Sequence, residues 1–258
     1  MLYAFRYLTY LLKAKDEHSL HSPFLFDLHE NIIDSFAEYY KYKGIEAVRE
    51  EMLLSDKIIE VSDLGAGSRI SKSNARKVSS IAKHAVKQDK YGKLLFRLVN
   101  HFKPKTILEL GTSLGVTTCY LATANSENQV ITFEGCPNIS SIAKNNFKKL
   151  ELKNITQIEG DFDEMLPNEL SKLDSVDFVY IDGNHRKKAT LAYFKQLLSK
   201  SHNDTILIFD DIHWSKGMEE AWEQVKASKD VSITIDLFYL GIVFLRKEQV
   251  KQDFVLKF

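Results

Sequence analysis

From Lys105 onward, short apolar runs alternate with amphipathic segments, and this alternation is the feature that most restricts how the chain can fold. Strands buried in a parallel sheet are nearly continuous apolar runs, whereas the helices that cover such a sheet repeat their apolar residues about every 3.6 positions. Seven runs have the length and composition of strands: Thr106–Leu110, Val130–Glu134, Thr156–Glu159, Val176–Ile181, Thr205–Phe209, Ile233–Phe238 and Ile242–Leu245. The segments between them predict helices near residues 116–124, 138–150, 163–171, 187–200 and 216–228.

The last two runs are separated only by Tyr239, Leu240 and Gly241. Because three residues are too few for a parallel crossover, these runs are predicted to form an antiparallel hairpin. The predicted fold class is therefore α/β, with a doubly wound, seven-stranded, mostly parallel sheet that ends in an antiparallel hairpin. A dinucleotide-binding fold would normally continue with parallel units instead.

The N-terminal part of the chain lacks this alternation. It predicts helices near residues 3–13, 24–40, 44–54, 74–87 and 91–102. We interpret residues 1–90 as an N-terminal helical appendage and residues 91–258 as the cofactor-binding α/β domain. The apolar opening, "MLYAFRYLTYLLK", is at about 12 residues too short to span a bilayer, and it has no small-residue cleavage site. It predicts a packing helix, and a homodimer through the N-terminal helices is one candidate assembly.

The composition limits which binding partners and which cellular compartment are expected. Lys and Arg together number 35, as do Asp and Glu, so no net field attracts the whole chain to nucleic acid or membrane. A local excess of basic residues occurs at 69–93, which is either a solvated face or a surface for an anionic substrate or RNA. Only Cys119 and Cys136 are present. A disulfide framework is therefore not expected, and a cytoplasmic location is predicted.

Two glycine-rich loops compete for the role of a nucleotide site. Gly65 and Gly67, in "VSDLGAGSRI", match the usual letters better than Gly111 and Gly115, in "TILELGTSLGVTTCYLA". Such a loop needs a strand before it, a helix after it and, about 20 residues later, a strand that ends in an acidic residue. Only the second loop has all three, with Glu134 as the acidic residue. Glycine there allows the backbone amides to approach a ligand closely.

The segment "ILELGTSLG", at residues 107–115, resembles the first motif of the class I S-adenosylmethionine-dependent methyltransferases. The resemblance implies that Glu109, Gly111 and Ser113 lie along the methionine part of the cofactor. It further implies that Glu134 binds the ribose hydroxyls and that Asp161 lies beside the adenine. The hairpin that ends the predicted sheet agrees with this family.

Three aspartates follow the fourth and fifth predicted strands. Asp182 ends "VYIDGNH", and Asp210 and Asp211 lie in "LIFDDIHW". In the strand order of the methyltransferases that the first motif resembles, these two strands are neighbours about 4.8 Å apart. Three carboxylates that close repel one another unless a cation joins them. Oxygen ligands suit Mg²⁺ or another hard divalent cation, which would lower the pKa of a substrate hydroxyl. The alternative is that Asp210 and Asp211 cap the following helix or turn.

The stretch from "IDGNH" to "FDDIHW" is similar to the macrocin- and novobiocin-type O-methyltransferases and, more distantly, to the catechol and caffeoyl-CoA O-methyltransferases. The similarity implies that Asp182, Asp210 and Asp211 bind the metal. Where relatives commonly have a second Asp, this chain has Asn184, which cannot act as a base. His185 and His213 are therefore the candidate general bases, and Asp182 belongs to the same catalytic group.

The predicted function is S-adenosylmethionine-dependent, metal-assisted methylation of a small-molecule hydroxyl. Two alternatives stay open. The first is an RNA methyltransferase that uses the basic segment at 69–93. The second is a protein that binds the cofactor without catalysis. The segment "HSLHSPF", with His18 and His21, predicts only a helix start, with Ser22 as cap and Pro23 in the first turn.

Overall fold

A computed structural model describes residues 2–15, 22–62 and 74–258. Its α-helices, in chain order, are α1 (Leu2–Lys13), α2 (Pro23–Leu28), α3 (Tyr40–Leu54), α4 (Val78–Ala85), α5 (Asp89–Phe102), α6 (Val116–Ala124), α7 (Pro137–Lys149), α8 (Phe162–Lys172), α9 (Lys187–Leu198) and α10 (Lys216–Ala227). Its strands are β1 (Ile58–Glu60), β2 (Ala75–Lys77), β3 (Thr106–Leu110), β4 (Gln129–Glu134), β5 (Ile155–Glu159), β6 (Val176–Ile181), β7 (Ser201–Asp210), β8 (Ile233–Asp236), β9 (Leu240–Phe244) and β10 (Gln252–Val255). A π-helical turn, His29–Ile33, continues α2.

The structure divides into two compact units, of which one is residues 36–172. In this unit β3, β4 and β5 pair in parallel, and α6 and α7 connect them. The register places Leu110 opposite Phe133 and Glu134 opposite Glu159. Because parallel strands end at the same edge, the residues after Leu110, Phe133 and Ile158 lie at one carboxyl edge.

The sequence did not predict the antiparallel pair β1–β2 of this unit. Each strand has only three residues, and Arg76 and Lys77 give β2 none of the apolar signal on which strand prediction depends. The pair is anchored by Ile59 of β1 and by Val78, the first residue of α4, which are buried in one apolar cluster with Cys136. Long-range packing, and not the local pattern, makes these segments strands.

The other unit comprises residues 1–35 and 173–258. Its strands lie in the order β10, β8, β9, β7, β6. β6 and β7 are parallel, whereas β9 is antiparallel to both β7 and β8, so the predicted terminal hairpin is present. β10 adds to β8 in parallel and was not predicted, because Gln252 and Asp253 make it a polar, half-exposed edge.

Helix α1 packs with one face and exposes the other. Tyr3, Tyr7 and Tyr10 surround the ring of Phe238 at centroid distances of 4.9 to 5.4 Å. On the opposite side, Leu12 is 89% exposed, and Phe5 and Leu8 are exposed as well. The homodimer through the N-terminal helices stays a prediction, for which this apolar side is the natural surface.

Two N-terminal predictions differ in outcome. Pro23 lies in the first turn of α2 with Ser22 at the cap position, although the Ser22 side chain makes no capping hydrogen bond. The helix predicted at 24–40 ends instead at Ile33, because Asp34 and Ser35, which favour helix caps over helix interiors, follow it. Among the described helices, none is long and apolar enough to cross a membrane.

The predicted α/β class with a mostly parallel sheet is confirmed. Apart from the short pair β1–β2, the described residues form eight strands, one more than predicted, and β10 is the addition. The division into an appendage at 1–90 and a domain at 91–258 stays a prediction.

Candidate active site

The glycine loop, Gly111–Gly115, follows β3 and begins α6. Its backbone is left-handed at three positions, with φ of 108° at Gly111, 49° at Ser113 and 80° at Gly115. A Cβ at Gly115 would lie 2.6 Å from the ring of Phe147, so only glycine fits there without displacement. The N–H groups of Gly111 and Thr112 donate to the Phe133 carbonyl, which ties the loop to β4.

Glu134, at the end of β4, holds the glycine loop from the side. Its Oε2 accepts a hydrogen bond of 2.8 Å from the Ser113 N–H, and its Oε1 accepts one of 2.9 Å from the Cys136 N–H. The carboxylate is therefore fixed in place by backbone donors while it is only partly buried. This is the position that the sequence predicts for binding ribose hydroxyls, and that role stays a prediction.

Glu109 is fully buried in β3. Its Oε2 accepts hydrogen bonds from the hydroxyls of Thr118, at 2.5 Å, and Thr132, at 2.7 Å. Within the described parts of the chain, Oε1 has no hydrogen-bond partner. Burial raises the pKa of Glu109 to about 7, against the effect of the two threonine hydroxyls. A buried carboxylate needs a partner. Here Thr118 and Thr132, which are far apart in sequence, are partners of the Glu109 carboxyl group.

Asp161 follows β5 and Gly160, whose φ is 144°. The Asp161 Oδ1 accepts a hydrogen bond of 2.9 Å from the Asp163 N–H, at the start of α8. Its side chain is partly exposed. A role beside the adenine stays a prediction.

The second group of polar residues belongs to the other unit. Asp182 and Asp210 directly follow Ile181 and Phe209, which are paired in the register of β6 and β7. Together with His185 they form what we term the Asp–His cluster: one potential ligand atom from each of the three residues lies within 4.8 Å of the other two. Asp210 is 1% exposed. The prediction that these two strands are neighbours is thus confirmed.

Within the cluster, one carboxylate oxygen of Asp182 accepts a hydrogen bond and the other lies near His185. The Tyr180 hydroxyl donates to Asp182 Oδ2 at 3.3 Å. Asp182 Oδ1 lies 3.6 Å from His185 Nε2. The donor set of two carboxylates and one imidazole is chemically suited to a divalent cation, whereas the sequence predicts Asp211 in place of His185.

Asp211 does not belong to the group of three that the described residues form. It adopts a left-handed backbone with φ of 52°, its N–H donates to the Tyr239 carbonyl, and its carbonyl accepts from the Trp214 N–H. The cap of α10 is Ser215, which accepts from the Met218 N–H, so neither aspartate caps this helix. A metal-binding role for Asp211 stays a prediction.

His213 is held between two carboxylates. Its Nε2 lies 2.8 Å from Asp236 Oδ2 and its Nδ1 lies 3.3 Å from Glu219 Oε1, while its ring stacks on Phe238 at 5.1 Å. Burial by itself lowers the pKa of His213, but Asp236 and Glu219 outweigh it, so the pKa is raised. Sequence reasoning missed both partners. A catalytic role for His213 stays a prediction, and both its nitrogens are already engaged.

Two segments named by the sequence lie outside the described residues. These are His18 and His21 of "HSLHSPF", and Gly65, Gly67, Ser68 and Arg69 of the first glycine-rich loop. Next to the latter, the Ser62 N–H donates to Cys136 Sγ at 3.4 Å, and the Asn138 amide donates to the Glu60 carbonyl at 2.8 Å. Ser62 therefore lies beside the turn that follows Glu134.

Comparisons with known proteins agree with this geometry. Residues 108–212 match a family described as a methyltransferase domain. An O-methyltransferase of Bacillus cereus in complex with S-adenosylhomocysteine superposes with a TM-score of 0.57 over 84% of this chain and 94% of its own, at 20% identity. The chain has a class I methyltransferase fold.

Two further solved structures show the same methyltransferase fold. The O-methyltransferase of Streptomyces achromogenes involved in tomaymycin synthesis, in complex with S-adenosylmethionine, has a TM-score of 0.58 at 17% identity and covers 90% of this chain and 99% of its own. The S-adenosylhomocysteine-bound methyltransferase of Podospora anserina has a TM-score of 0.61 at 14% identity and covers 83% and 92%. Identities this low establish the fold alone.

A relative from Niastella koreensis, named catechol O-methyltransferase, is 31% identical over 124 residues. The match covers 47% of this chain and 55% of that protein, so the chain spans about half the length of this relative. The resemblance to O-methyltransferases that the sequence predicted is confirmed.

Proposed function

We propose that this protein is an S-adenosylmethionine-dependent O-methyltransferase that methylates a hydroxyl of a small molecule with the assistance of a divalent cation. The observation that carries the proposal is the Asp–His cluster at the ends of β6 and β7. A methyltransferase fold that only bound its cofactor would have no need to hold Asp182 and Asp210 this close.

The cofactor is proposed to bind in the unit formed by residues 36–172. Backbone amides of the glycine loop meet its methionine part, along Glu109, Gly111, Ser113 and Gly115. Glu134 accepts hydrogen bonds from the ribose hydroxyls, and Asp161 lies beside the adenine. The fixed Glu134 carboxylate supports this, because a carboxylate oriented by two amides binds without first losing side-chain freedom.

O-methylation requires an oxygen nucleophile, and a phenolic hydroxyl has a pKa of about 10. A divalent cation supplies a positive charge that lowers the pKa of a hydroxyl bound to it. Asp182 and Asp210 would hold that cation, and the Tyr180 hydroxyl orients Asp182. Mg²⁺ is the simplest candidate for carboxylate ligands. If the imidazole of His185 also bound the ion, the site would favour a transition metal.

The remaining step is removal of the hydroxyl proton. His213 and His185 are the predicted bases, and their contacts with carboxylates differ. His213 already contacts a carboxylate with each nitrogen, whereas His185 Nε2 has no carboxylate oxygen closer than 3.6 Å in the contacts described. We therefore assign His213 a positioning role, in which it stacks on Phe238 and supports the loop after Asp211.

The first experiment is titration calorimetry of the purified chain with S-adenosylhomocysteine, with and without Mg²⁺. Transfer of labelled methyl groups from S-adenosylmethionine should then be measured on catechol, the first acceptor to try given the name of the Niastella relative. We expect cofactor binding in both conditions and methyl transfer only with metal. Activity that survives both strong chelation and Asp182→Ala would contradict metal assistance.

The RNA methyltransferase alternative stays a prediction. Two lysines of the basic segment are engaged with acids: Lys77 lies 2.9 Å from Asp56, and Lys93 lies 3.1 Å from Glu38. RNA binding that weakens steeply with salt would favour this alternative. The second alternative, cofactor binding without catalysis, predicts that no acceptor is methylated under any metal condition.

A further inference from the structure

His185 differs from His202 and His213, two other histidines of its unit that lie beside a carboxylate. His202 Nε2 lies 2.8 Å from Asp177 Oδ1, and His213 Nε2 lies 2.8 Å from Asp236 Oδ2. Both distances are those of hydrogen bonds. His185 Nε2 lies 3.6 Å from Asp182 Oδ1, which is too long for one. Two of these imidazoles have closed onto a carboxylate, and that of His185 has not.

The separation at His185 suits a shared cation instead. Ligand atoms about 2.1 Å from one ion lie about 3.0 Å apart in octahedral and about 3.4 Å apart in tetrahedral coordination. The 3.6 Å between Asp182 Oδ1 and His185 Nε2 is slightly longer than the tetrahedral value, and Asp210 completes a group whose ligand atoms all lie within 4.8 Å. Small side-chain rotations would bring all three onto one ion.

The chain places His185 there through a specific turn. Asn184 has a left-handed backbone with φ of 51°, which Asn adopts more readily than most residues. Its amide donates to the hydroxyl of the buried Tyr193 at 3.1 Å, and the Arg186 N–H donates to the Asn184 carbonyl. This turn folds the chain back, so that His185 meets Asp182 three residues earlier.

Resting on the proposed metal-assisted function, we propose that His185 is a metal ligand and that the site consists of Asp182, His185 and Asp210. The imidazole then occupies the place that family resemblance would assign to Asp211, whose backbone is held in a turn by Tyr239 and Trp214. His185 is then a ligand and not the general base, and the hydroxyl, whose pKa the cation would lower, loses its proton to solvent water.

One imidazole among the ligands changes which metal the site prefers. Mg²⁺ favours oxygen ligands, whereas imidazole suits Fe²⁺, Ni²⁺ and Zn²⁺, and affinity generally rises from Mn²⁺ through Co²⁺ to Ni²⁺. We expect the site to bind Mn²⁺ and Co²⁺ at least about tenfold more tightly than Mg²⁺.

The test is electron paramagnetic resonance of Mn²⁺ bound to the purified full chain, with echo-modulation detection of nitrogen coupling. Wild type should show a directly coordinated nitrogen. His185→Ala should lose that signal, and its Mn²⁺ affinity should fall at least about tenfold, as removing even an outer-shell partner costs about that much. His202→Ala, which removes the histidine paired with Asp177, is the matched control and should keep both properties.

The outcomes separate this inference from the function on which it rests. Mn²⁺ binding without nitrogen coupling, at equal affinity in wild type and His185→Ala, would overturn the histidine ligand while leaving a metal site of oxygen ligands. Absence of Mn²⁺ binding would overturn both. A second measurement covers misfolding: Co²⁺ affinity should fall more than Mg²⁺ affinity in His185→Ala, whereas a damaged fold would weaken both equally.

Discussion

The glycine loop and the Asp–His cluster lie at the carboxyl ends of parallel strands, yet their polar groups are stabilised differently. Around the glycine loop, the Glu134 carboxylate is fixed by the N–H groups of Ser113 and Cys136. In the Asp–His cluster, Asp182 and Asp210 approach each other and an imidazole. In the first region backbone N–H groups fix the carboxylate, whereas the second region brings like charges together, which the proposed cation would stabilise.

The largest effect is expected from Asp182→Ala, which removes one carboxylate from the Asp–His cluster and leaves the glycine loop unchanged. Metal-dependent methyl transfer should fall about 1,000-fold, equivalent to about 4 kcal/mol in the activation barrier. Affinity for S-adenosylhomocysteine, measured by calorimetry, should change less than about threefold. A parallel loss of cofactor affinity would mean that the two regions are not independent.

The second prediction concerns the stability cost of Glu109, the buried carboxyl group just before the glycine loop. Burial raises the pKa of Glu109 from 4.5 to about 7. Its contribution to stability is thus fully present below pH 4.5, declines as the pH rises and is lost above pH 7. The free energy of unfolding of wild type minus that of Glu109→Gln should fall by about 3 kcal/mol across this range.

The measurement is urea unfolding at a series of pH values for both proteins. Taking the difference cancels the groups that the two proteins share. A difference that does not vary between pH 4.5 and 7 would show that Glu109 is ionised in the folded state, contrary to its pKa shift.

Glu134→Ala is expected to weaken cofactor binding and to leave metal binding intact, the opposite of Asp182→Ala. It removes the proposed acceptor for the ribose hydroxyls, and affinity for S-adenosylhomocysteine should weaken about 10- to 100-fold, corresponding to about 1.5–3 kcal/mol. Mn²⁺ affinity should be unchanged. Glu159→Ala is the matched control, because Glu159 is opposite Glu134 in the strand register. Equal losses in the two variants would contradict a specific role for Glu134.

The smallest effect concerns the turn that positions His185. Asn184→Ala should lower the free energy of unfolding by about 1–2 kcal/mol, because alanine is disfavoured in a left-handed backbone. Asn184→Gly relieves that strain but, like Asn184→Ala, loses the hydrogen bond to Tyr193. We therefore expect the glycine variant to be the more stable in thermal unfolding and both to bind Mn²⁺ more weakly than wild type. Wild-type Mn²⁺ affinity in both variants would show that the turn at Asn184 does not position His185 for metal binding.

Much of the site could be predicted from local sequence signals. The glycine loop was distinguishable from the similar letters at Gly65 because only Gly111 has a strand before it and Glu134 at the right distance. The closeness of Asp182 and Asp210 followed from two apolar runs that end in acidic residues, together with the strand order that the family resemblance implies. Strand β10 and the pair β1–β2 were missed, because short, polar strands carry no apolar pattern.

The sequence by itself determined the α/β class, the terminal antiparallel hairpin and which residues end at the carboxyl edges, because periodicity and chain order dictate them. Only the tertiary structure decided the partners. Thr118 and Thr132 bind Glu109, Asp236 and Glu219 hold His213, and the left-handed turn at Asn184 brings His185 to Asp182. Such pairings depend on backbone dihedrals and on contacts between distant segments, which no local pattern of residues encodes.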